Sequence, residues 1–465
     1  MGRRVVLLAA IVMLLSAGSA SAATPQQLTL TMSDGAQLAC SLTEPDGTPP
    51  AGGWPAVMLF HGLGGKHQDV EPIATQFLAP AGYAALACDA RGHGLSQGQF
   101  ALDGPRDVQD TRELMTWLTA RPEISDTQIG ALGISLGGGA VWNALVAGVP
   151  FKAAVTAITW TNLLTALAPQ GLSKSGLVQY LAGLVPTSRW DTQLLAASQG
   201  LAASQDLTTA AAFASTRSPL SKLSSITTPT LLIQGRHDFL FDIDQAIAAY
   251  KALQGPKRLY VGDLGHTPAP NPTAEQPTYF TEATKWFDRF LKGTSNGIDK
   301  PVVELAHDPW DGKTTVYSST PPTKTISVAL PGSSAISSSN GKVVRSVRIT
   351  GGPHETFGDS TVTVKYSGAT DWDRLVAVLA VQGSSTPITA GGVKLKAASG
   401  TVTIKLMNEA VRFAAGKKLV LYLSSTSLAQ STSDALYLAS VPPDAKVTIG
   451  RVTLKLSVLQ RAVSK

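Results

Sequence analysis

The chain has 465 residues, too many for one ordinary hydrophobic core, so we expect two or three domains. A hydrophobic content of 44% with a charged content of 15% is typical of a globular protein and excludes a disordered one. The formal net charge of +6 is spread without dense basic blocks, so we expect no nucleic-acid partner.

The first residues are typical of a secretory signal peptide. Arg3 and Arg4 precede the apolar run 5–15, and Ala20-Ser21-Ala22 offers a cleavage site. We therefore expect residues 1–22 to be removed and the mature protein to be secreted or periplasmic. No later segment is apolar for long enough to span a bilayer, so we expect no membrane association after signal cleavage.

Strand and helix patterns then alternate, after a hairpin predicted over 28–43 around Ser33-Asp34-Gly35. This alternation predicts a parallel sheet covered by helices on both faces. The alternation of strands and helices stops over about 159–225, where the spacing of apolar residues is helical and predicts a lid. The predicted strands cover 56–60, 83–88, 129–132, 153–158, 230–234 and 259–261, and the predicted helices cover 70–78, 108–119, 136–147, 242–253 and 274–291.

The composition changes at 293–301, and helical periodicity then disappears. The rest of the chain predicts an all-β sandwich or jelly roll. We therefore expect a signal peptide at 1–22, a catalytic α/β domain at 23–297 and a β-domain at 298–465. The predicted strands of the β-domain cover 325–330, 343–349, 361–366, 375–381, 401–406, 418–423, 435–439 and 446–456.

The pentapeptide Gly133-Ile134-Ser135-Leu136-Gly137 lies between a predicted strand and a predicted helix. That setting is typical of a nucleophile elbow, which holds a serine hydroxyl out of the sheet towards a base. Glycine at 133 and 137 leaves room for the sharp turn. The start of the following helix directs backbone N–H groups at developing negative charge.

An elbow serine requires an acid and a histidine, in the order Ser, Asp, His, at the ends of later strands. Asp238 follows the predicted strand 230–234, and His266 follows the predicted strand 259–261. We predict that His266 is the base towards Ser135 and that Asp238 holds the imidazole in the required tautomer.

Other residues compete for these roles. His237 is a rival base, although it directly precedes the acid and adjacent turn residues rarely face each other. Asp242 and Asp244 are rival acids, but both fall at a predicted helix start, where carboxylates are ordinarily capping residues. His307 and His354 show no metal-ligand spacing, so we expect no metal and no other cofactor.

The segment His61-Gly62-Leu63-Gly64-Gly65 follows the predicted strand 56–60. We predict that the N–H groups of Leu63 and Leu136 form an oxyanion hole, with His61 and Gly62 supporting the loop. His93 is expected to be a structural turn residue, with an ion pair between its neighbours Asp89 and Arg91.

Cys40 and Cys88 are the two cysteines of the chain. In an exported protein they can form a disulfide. Both also lie in apolar strand-like segments, so two buried free thiols are an equal alternative.

Together these motifs resemble the α/β-hydrolase fold, and three stretches narrow the resemblance. Residues 89–94, the pair 228–235 and 241–246, and residues 286–293 resemble the X-Pro dipeptidyl-peptidase and cocaine-esterase-like family, and 349–353 and 415–421 are similar to its C-terminal jelly roll. Cocaine-esterase-like members use a tyrosine hydroxyl near the third strand as an oxyanion donor. This chain instead has His61-Gly62-Leu63 there, the arrangement of esterases with two backbone donors.

The resemblance implies acyl transfer on a small ester or a short peptide. An X-Pro peptidase must hold an α-ammonium group, which is costly to bury without a carboxylate. The predicted lid contains no glutamate and only Asp191 and Asp206 as acids. The sequence therefore favours a carboxylic ester hydrolase, with an X-Pro dipeptidyl-peptidase as one alternative and an inactive scaffold that binds a ligand as another.

Overall fold

The computed structural model describes residues 23–204, 207–266, 269–429 and 436–460. The signal peptide expected at 1–22 lies outside these ranges. Within them, every helix is too short or too polar to cross a bilayer.

The first domain is built on a ten-stranded sheet in the order β1-β2-β4-β3-β5-β6-β7-β8-β9-β10. Strands β4, β3 and β5 to β9 are parallel, and the hairpin β1–β2 joins β4 in an antiparallel arrangement. The strands are β1 (Gln26–Thr31), β2 (Gln37–Thr43), β3 (Trp54–Phe60), β4 (Ala84–Cys88), β5 (Ile124–Ile134), β6 (Ala153–Ala157), β7 (Thr230–Gly235), β8 (Lys257–Gly262), β9 (Val303–Ala306) and β10 (Thr314–Tyr317).

Helices cover both faces of this sheet, as the alternating pattern predicts. Met58 of β3 packs in one buried cluster with Trp142, whereas its neighbour Val57 packs in another with Trp286, because successive strand side chains point to opposite faces. The α-helices are α1 (Glu71–Ile73), α2 (Pro105–Thr119), α3 (Leu136–Val146), α4 (Leu163–Leu167), α5 (Ser175–Ala182), α6 (Thr192–Ala203), α7 (Thr208–Ser215), α8 (Ile243–Ala252) and α9 (Gln276–Phe290).

The insertion between β6 and β7 is helical and contains α4 to α7. Its apolar side chains form a cluster of their own, which includes Trp160, Trp190 and Phe213. This cluster also takes in Leu136, directly after the elbow serine, and Phe241. The lid therefore packs onto the carboxyl ends of the parallel strands, where the predicted site lies.

The expected domain boundary at residue 297 is placed too early. β9 pairs in parallel with β8, with Val303 opposite Leu259, and β10 continues the same sheet. The composition change at 293–301 marks only the loop that leads into β9. Two further strands cover the edge that β8 would otherwise expose, and edge pairing of this kind leaves no local sequence pattern.

The C-terminal domain consists of two antiparallel sheets around one apolar core, as predicted. One sheet has the order β11-β21-β15-β18 with β12 beside β21, the other has the order β13-β20-β16-β17, and β14 pairs with β19. The strands are β11 (Thr323–Leu330), β12 (Ser334–Ile336), β13 (Val343–Arg348), β14 (His354–Glu355), β15 (Thr361–Thr370), β16 (Arg374–Val381), β17 (Pro387–Lys394), β18 (Gly400–Lys405), β19 (Arg412–Phe413), β20 (Lys418–Ser424) and β21 (Lys446–Leu459).

The strand predictions in this domain are wrong in places. The part of 435–439 that the structure describes, 436–439, is not a strand. Four observed strands lie outside every predicted one: the short β12, β14 and β19, and β17, which pairs with β16 along its length. Gly391 and Gly392 in β17 are a turn signal in the sequence. In the fold a side chain at Gly391 would meet the backbone of Lys405, so close packing requires glycine there.

The two cysteines form a disulfide between opposed residues of neighbouring strands. Cys40 of β2 lies opposite Cys88 of β4 in the antiparallel register. Of the two alternatives that the sequence leaves open, the structure has the paired form.

Candidate active site

Ser135 occupies a strained turn between β5 and α3. Its φ of 55° and ψ of −115° lie outside the usual regions for a residue with a side chain. A side chain at Gly133 would collide with the backbone of Gly137, and one at Gly137 would collide with the carbonyl of Phe60. The turn can therefore form only with glycine at both positions, as the elbow motif predicts.

The structure brings Ser135, Asp238 and His266 together. His266 Nε2 lies 2.7 Å from Ser135 Oγ, and His266 Nδ1 lies 2.8 Å from Asp238 Oδ2. Ser135 and His266 are 131 residues apart in the chain. The predicted nucleophile, base and acid thus form one continuous hydrogen-bonded chain.

Asp238 is fully buried, and its carboxylate has several donors. Its Oδ1 accepts hydrogen bonds from the N–H groups of Leu240 and Phe241, both at 3.0 Å. These donors offset the cost of a buried charge. They also hold the carboxylate in place beneath the imidazole.

The loop of His266 is held by Asn271, a residue that the sequence does not single out. The Asn271 side chain accepts a hydrogen bond from the Gly265 N–H at 3.0 Å and donates to the Gly265 carbonyl at 2.9 Å. The ring of Phe241 meets the imidazole edge-on, with 5.4 Å between centroids. The packing of the two rings and the hydrogen bonds of the Asn271 side chain together restrict the orientation of the base.

The predicted oxyanion segment lies beside the nucleophile. Leu136 is the first residue of α3, so its N–H has no partner within the helix. A carbon atom built on Gly62 would lie 3.7 Å from Cβ of Ser135. Leu63 and Leu136 belong to the same apolar cluster, which is consistent with two backbone donors in a site shielded from water.

His61 supports this loop as a neutral imidazole. Its Nε2 accepts a hydrogen bond from the Ala90 N–H at 2.9 Å, so its Nδ1 carries the proton and donates to the Gly62 carbonyl at 2.7 Å. Burial lowers the pKa of His61, which favours the neutral form. Both ring nitrogens are therefore used to join the oxyanion loop to the end of β4.

The expected ion pair between Asp89 and Arg91 is not formed. Asp89 Oδ1 accepts hydrogen bonds from the backbone and the ring Nδ1 of His67, each at 2.6 Å. Arg91 instead reaches Asp110 of α2 and Asp34 of the first hairpin. The long side chain of Arg91 extends away from its own turn, and the carboxylate of Asp89 already accepts the two hydrogen bonds from His67.

His93 is a buried turn residue, as predicted. Its Nδ1 lies 3.0 Å from the Arg91 carbonyl, and its ring meets Phe100 edge-on at 4.7 Å. Burial lowers the pKa of His93 to about 4. The ring is therefore neutral near pH 7 and packs as part of the core.

The rival acids and the rival base have partners other than Ser135 and His266. Asp242 accepts a hydrogen bond from the Asn408 backbone at 3.2 Å, and Asp244 accepts one from the Asn408 side chain at 2.8 Å. His237 Nε2 faces Asp263 and Asp308. Asp242 and Asp244 thus join α8 to the β-domain, and Asp238 is the acid that reaches the predicted base.

A buried ion cluster behind the predicted acid was missed from the sequence. Lys174 of the lid donates to the carbonyls of Phe239 and Leu240, both at 3.0 Å, and burial lowers its pKa. Glu409 of the β-domain is 1% exposed, and its pKa is raised by burial and by the nearby charges of Asp242 and Asp238. A single lysine or glutamate in such a segment has no specific signal in the sequence.

An apolar cavity of about 80 Å³ lies in the lid and starts at Leu63 of the oxyanion loop. One water molecule needs roughly 10–15 Å³, so the cavity has room for several heavy atoms. Every lining residue is uncharged. The lining consists of Leu63, Phe100, Leu102, Leu163, Leu164, Leu167, Val178, Leu181, Ala182, Trp190, Leu194, Ala197, Ser198, Leu201, Ala210, Phe213 and Ala214.

Sheet topology, elbow and lid define an α/β-hydrolase with a C-terminal β-sandwich domain. Residues 34–268, about half of the chain, match the family model of the X-Pro dipeptidyl-peptidase (S15 family). The chain belongs to this family and is a hydrolase.

Solved structures share the fold over nearly the whole chain. An α-amino acid ester hydrolase has a TM-score of 0.70 at 14% identity, with 98% of this chain and 100% of that chain covered. A CocE/NonD family hydrolase from Staphylococcus aureus has a TM-score of 0.68 at 14% identity, with 93% of each chain covered. An aminopeptidase from a marine sediment Thaumarchaeota archaeon has a TM-score of 0.67 at 12% identity, with 94% of this chain and 97% of that chain covered.

A curated relative, an uncharacterized 31.7 kDa protein of Escherichia coli from the traX-finO intergenic region, is 28% identical over 109 residues. That match spans 23% of this chain and 38% of the relative. The family model thus establishes the family and the solved structures share the fold, so the substrate has to be argued from the site.

Proposed function

We propose that this protein is an exported serine hydrolase that cleaves carboxylic esters of small, uncharged acyl groups through an acyl-enzyme intermediate. The observation that carries the proposal is the 2.7 Å contact between Ser135 Oγ and His266 Nε2, with Asp238 behind the imidazole. A serine hydroxyl becomes an effective nucleophile when a base so placed takes its proton.

In the first half-reaction Ser135 Oγ attacks the ester carbonyl while His266 Nε2 accepts the hydroxyl proton. Negative charge then develops on the carbonyl oxygen, where the N–H groups of Leu63 and Leu136 stabilise it. Asp238 remains ionised and stabilises the imidazolium. When the tetrahedral intermediate collapses, His266 gives its proton to the departing alcohol and the acyl group stays on Ser135.

In the second half-reaction water replaces the alcohol. His266 takes a proton from that water, hydroxide adds to the acyl carbonyl, and the same two N–H groups stabilise the second oxyanion. The C–O bond to Ser135 then breaks, and the serine oxygen regains its proton from His266. The products are the carboxylic acid and the free enzyme.

The lid supports an uncharged acyl group. The cavity that starts at Leu63 is lined by aliphatic and aromatic side chains with one serine, which suits an apolar substrate group. Asp191, one of the two lid acids, is used as a helix cap and accepts a hydrogen bond from the Gln193 N–H at 2.8 Å. The other, Asp206, lies outside the described residues.

Export is supported by the N-terminal pattern over residues 1–22 and by the disulfide between Cys40 and Cys88. Disulfides of this kind persist in oxidising compartments such as the periplasm and the extracellular medium. Intact mass measured on protein recovered from the periplasm or medium should begin at Ala23. A mature protein that retains Met1 and stays in the cytoplasm would contradict export.

An X-Pro dipeptidyl-peptidase is the second candidate, and the family match favours it. The esterase and the peptidase activity are distinguished by comparing para-nitrophenyl acetate and butyrate with Gly-Pro and Ala-Pro para-nitroanilides as substrates of the same purified protein. We expect kcat/KM to be higher for the esters by a factor of 100 or more. Turnover of the anilides alone would replace the esterase assignment with the peptidase one.

The third alternative, an inactive scaffold that binds a ligand, is tested with a fluorophosphonate probe. We expect the probe to label the protein at Ser135 and a Ser135→Ala variant to remain unlabelled with an unchanged melting temperature. Absence of labelling in the folded wild-type protein would favour the scaffold.

A further inference from the structure

Three side chains of types that can ligate a metal ion meet where neighbouring parallel strands end. His237 follows β7, Asp263 follows β8 directly, and Asp308 follows β9. One ligand atom from each residue lies within 4.8 Å of the other two. Because β7, β8 and β9 are adjacent and parallel, their carboxyl ends bring together side chains that are far apart in the sequence.

Two of the facing atoms of this group, one on Asp263 and one on His237, lack hydrogen bonds. Asp263 is 3% exposed, and neither its Oδ1 nor Nε2 of His237 has a hydrogen-bond partner among the described residues, although the two atoms lie 3.3 Å apart. The other oxygen of Asp263, Oδ2, accepts a hydrogen bond from the Trp310 N–H at 3.2 Å. Asp308 Oδ2 lies 3.7 Å from His237 Nε2 and also accepts a hydrogen bond from the Arg412 N–H at 2.8 Å.

We propose that His237, Asp263 and Asp308 bind a divalent transition-metal ion, with Zn²⁺ as the ion whose ligand preference fits best. One imidazole nitrogen with two carboxylate oxygens is a ligand set that Zn²⁺ accepts, whereas Ca²⁺ takes six to eight oxygen ligands. His237 and Asp308 are 15% and 16% exposed, which leaves solvent access for a water ligand.

The ion would tie together the loops that carry the predicted acid and base. His237 directly precedes Asp238, and Asp263 lies three residues before His266. Such an ion would act as a positioning element beneath the site and would not touch the substrate. Sequence analysis could not detect this group, because metal motifs are recognised by short spacing along the chain and these three residues follow three different strands.

Other charges near the cluster define the competing explanation. The buried guanidinium of Arg236 forms an ion pair with Glu355. Its positive charge also lowers the pKa of His237 and disfavours a second positive charge there. Without a metal, the group is explained by an ion pair between His237 and the two carboxylates, because Asp263 and Asp308 raise the pKa of His237 against the effect of burial. Metal binding and this ion pair predict different results in a titration with Zn²⁺.

The test is a calorimetric titration of the purified full chain with ZnCl₂ at pH 7.5, after chelator treatment and dialysis. We expect one Zn²⁺ per chain, a rise in melting temperature with added Zn²⁺, and a visible absorption band typical of nitrogen and oxygen ligands when Co²⁺ replaces it. His237→Gln and Asp308→Asn should each weaken Zn²⁺ binding at least tenfold.

The matched control is the exposed pair His307 and Asp311, whose side chains lie 3.1 Å apart and outside the cluster. His307→Gln and Asp311→Asn should leave Zn²⁺ affinity within twofold of the wild type. The proposal is overturned if the wild type binds no Zn²⁺, if the control variants lose binding as strongly as the cluster variants, or if folded His237→Gln and Asp308→Asn proteins bind as well as the wild type.

Circular dichroism shows whether each variant is folded, and Asp308→Asn, on the partly exposed side, is the substitution least disruptive to packing. Metal affinity is measured without substrate. The inference can therefore fail while the esterase proposal stands, and the reverse also holds.

Discussion

The Nζ atom of Lys174 donates a hydrogen bond of 3.0 Å to the carbonyl oxygen of Phe239, the residue after Asp238. A second bond of the same length goes to the Leu240 carbonyl. Leu240 in turn donates its N–H to Asp238. A lysine of the lid therefore holds the backbone turn that presents the predicted acid to His266.

Replacing Lys174 with methionine should keep the side-chain volume and leave these two carbonyls without a donor. We expect kcat for an ester substrate to fall by about 10- to 100-fold through misplacement of Asp238, with little change in KM. The free energy of unfolding should fall by about 1–3 kcal/mol. Steady-state kinetics and denaturant unfolding measure both.

Lys222, an exposed lysine of the same insertion, provides the control for Lys174. Lys222→Met should match the wild type in both measurements. If Lys174→Met retains full kcat while losing stability, Lys174 is a structural residue without influence on the site.

Glu409 should make stability depend on pH. Burial and the charges of Asp242 and Asp238 raise its folded pKa above 4.5, while the Lys174 ammonium lowers it. A carboxyl with a raised folded pKa favours folding below its unfolded pKa, and this contribution is lost as the pH rises through the folded value. Wild-type protein therefore loses stability from this group as the pH rises above about 4.5.

Glu409→Gln stays uncharged across that range, so its advantage in melting temperature over the wild type should grow from pH 5 to pH 8. We expect roughly 1–3 kcal/mol at pH 8, the cost of a buried polar group without adequate partners. Asp46→Asn, at an exposed loop position, should show no such trend. A glutamine variant less stable than the wild type at pH 8 would refute this account.

The disulfide should stabilise the β2–β4 edge of the sheet. Cys40 and Cys88 are 48 residues apart, and closing a loop of this size restricts the unfolded chain. The Cys40→Ala/Cys88→Ala variant should lose about 2–4 kcal/mol in denaturant unfolding. A thiol assay on the denatured wild type should find free thiols only after reduction, and two thiols without reduction would contradict the pairing.

The lid cavity should set the acyl length that the enzyme accepts. Ala197 of α6 is buried and lines the cavity, so Ala197→Leu should fill part of it. We expect kcat/KM for para-nitrophenyl hexanoate to fall about tenfold, since overpacking costs about 1–3 kcal/mol, while acetate is little affected. Ala203→Leu, at an exposed position of the same helix, should leave both substrates unchanged. Equal loss for acetate and hexanoate would show that the cavity does not hold the acyl group.

Local sequence patterns were sufficient for the strand and helix alternation and for the elbow at Ser135. The order Ser135, Asp238, His266 also follows from the sequence, because each residue ends a recognisable strand and parallel strands end at one edge of a sheet. Periodicity and turn chemistry depend on residues a few positions apart, so they can be seen in the chain before it folds.

Tertiary structure decided what depends on distant partners. It paired Cys40 with Cys88, matched Asp89 with His67 instead of Arg91, and extended the first sheet beyond residue 297. It also placed Lys174 against Phe239, although they lie in different segments of the domain. Charge, burial and edge pairing are properties of surfaces that meet only after folding, and no spacing along the chain encodes them.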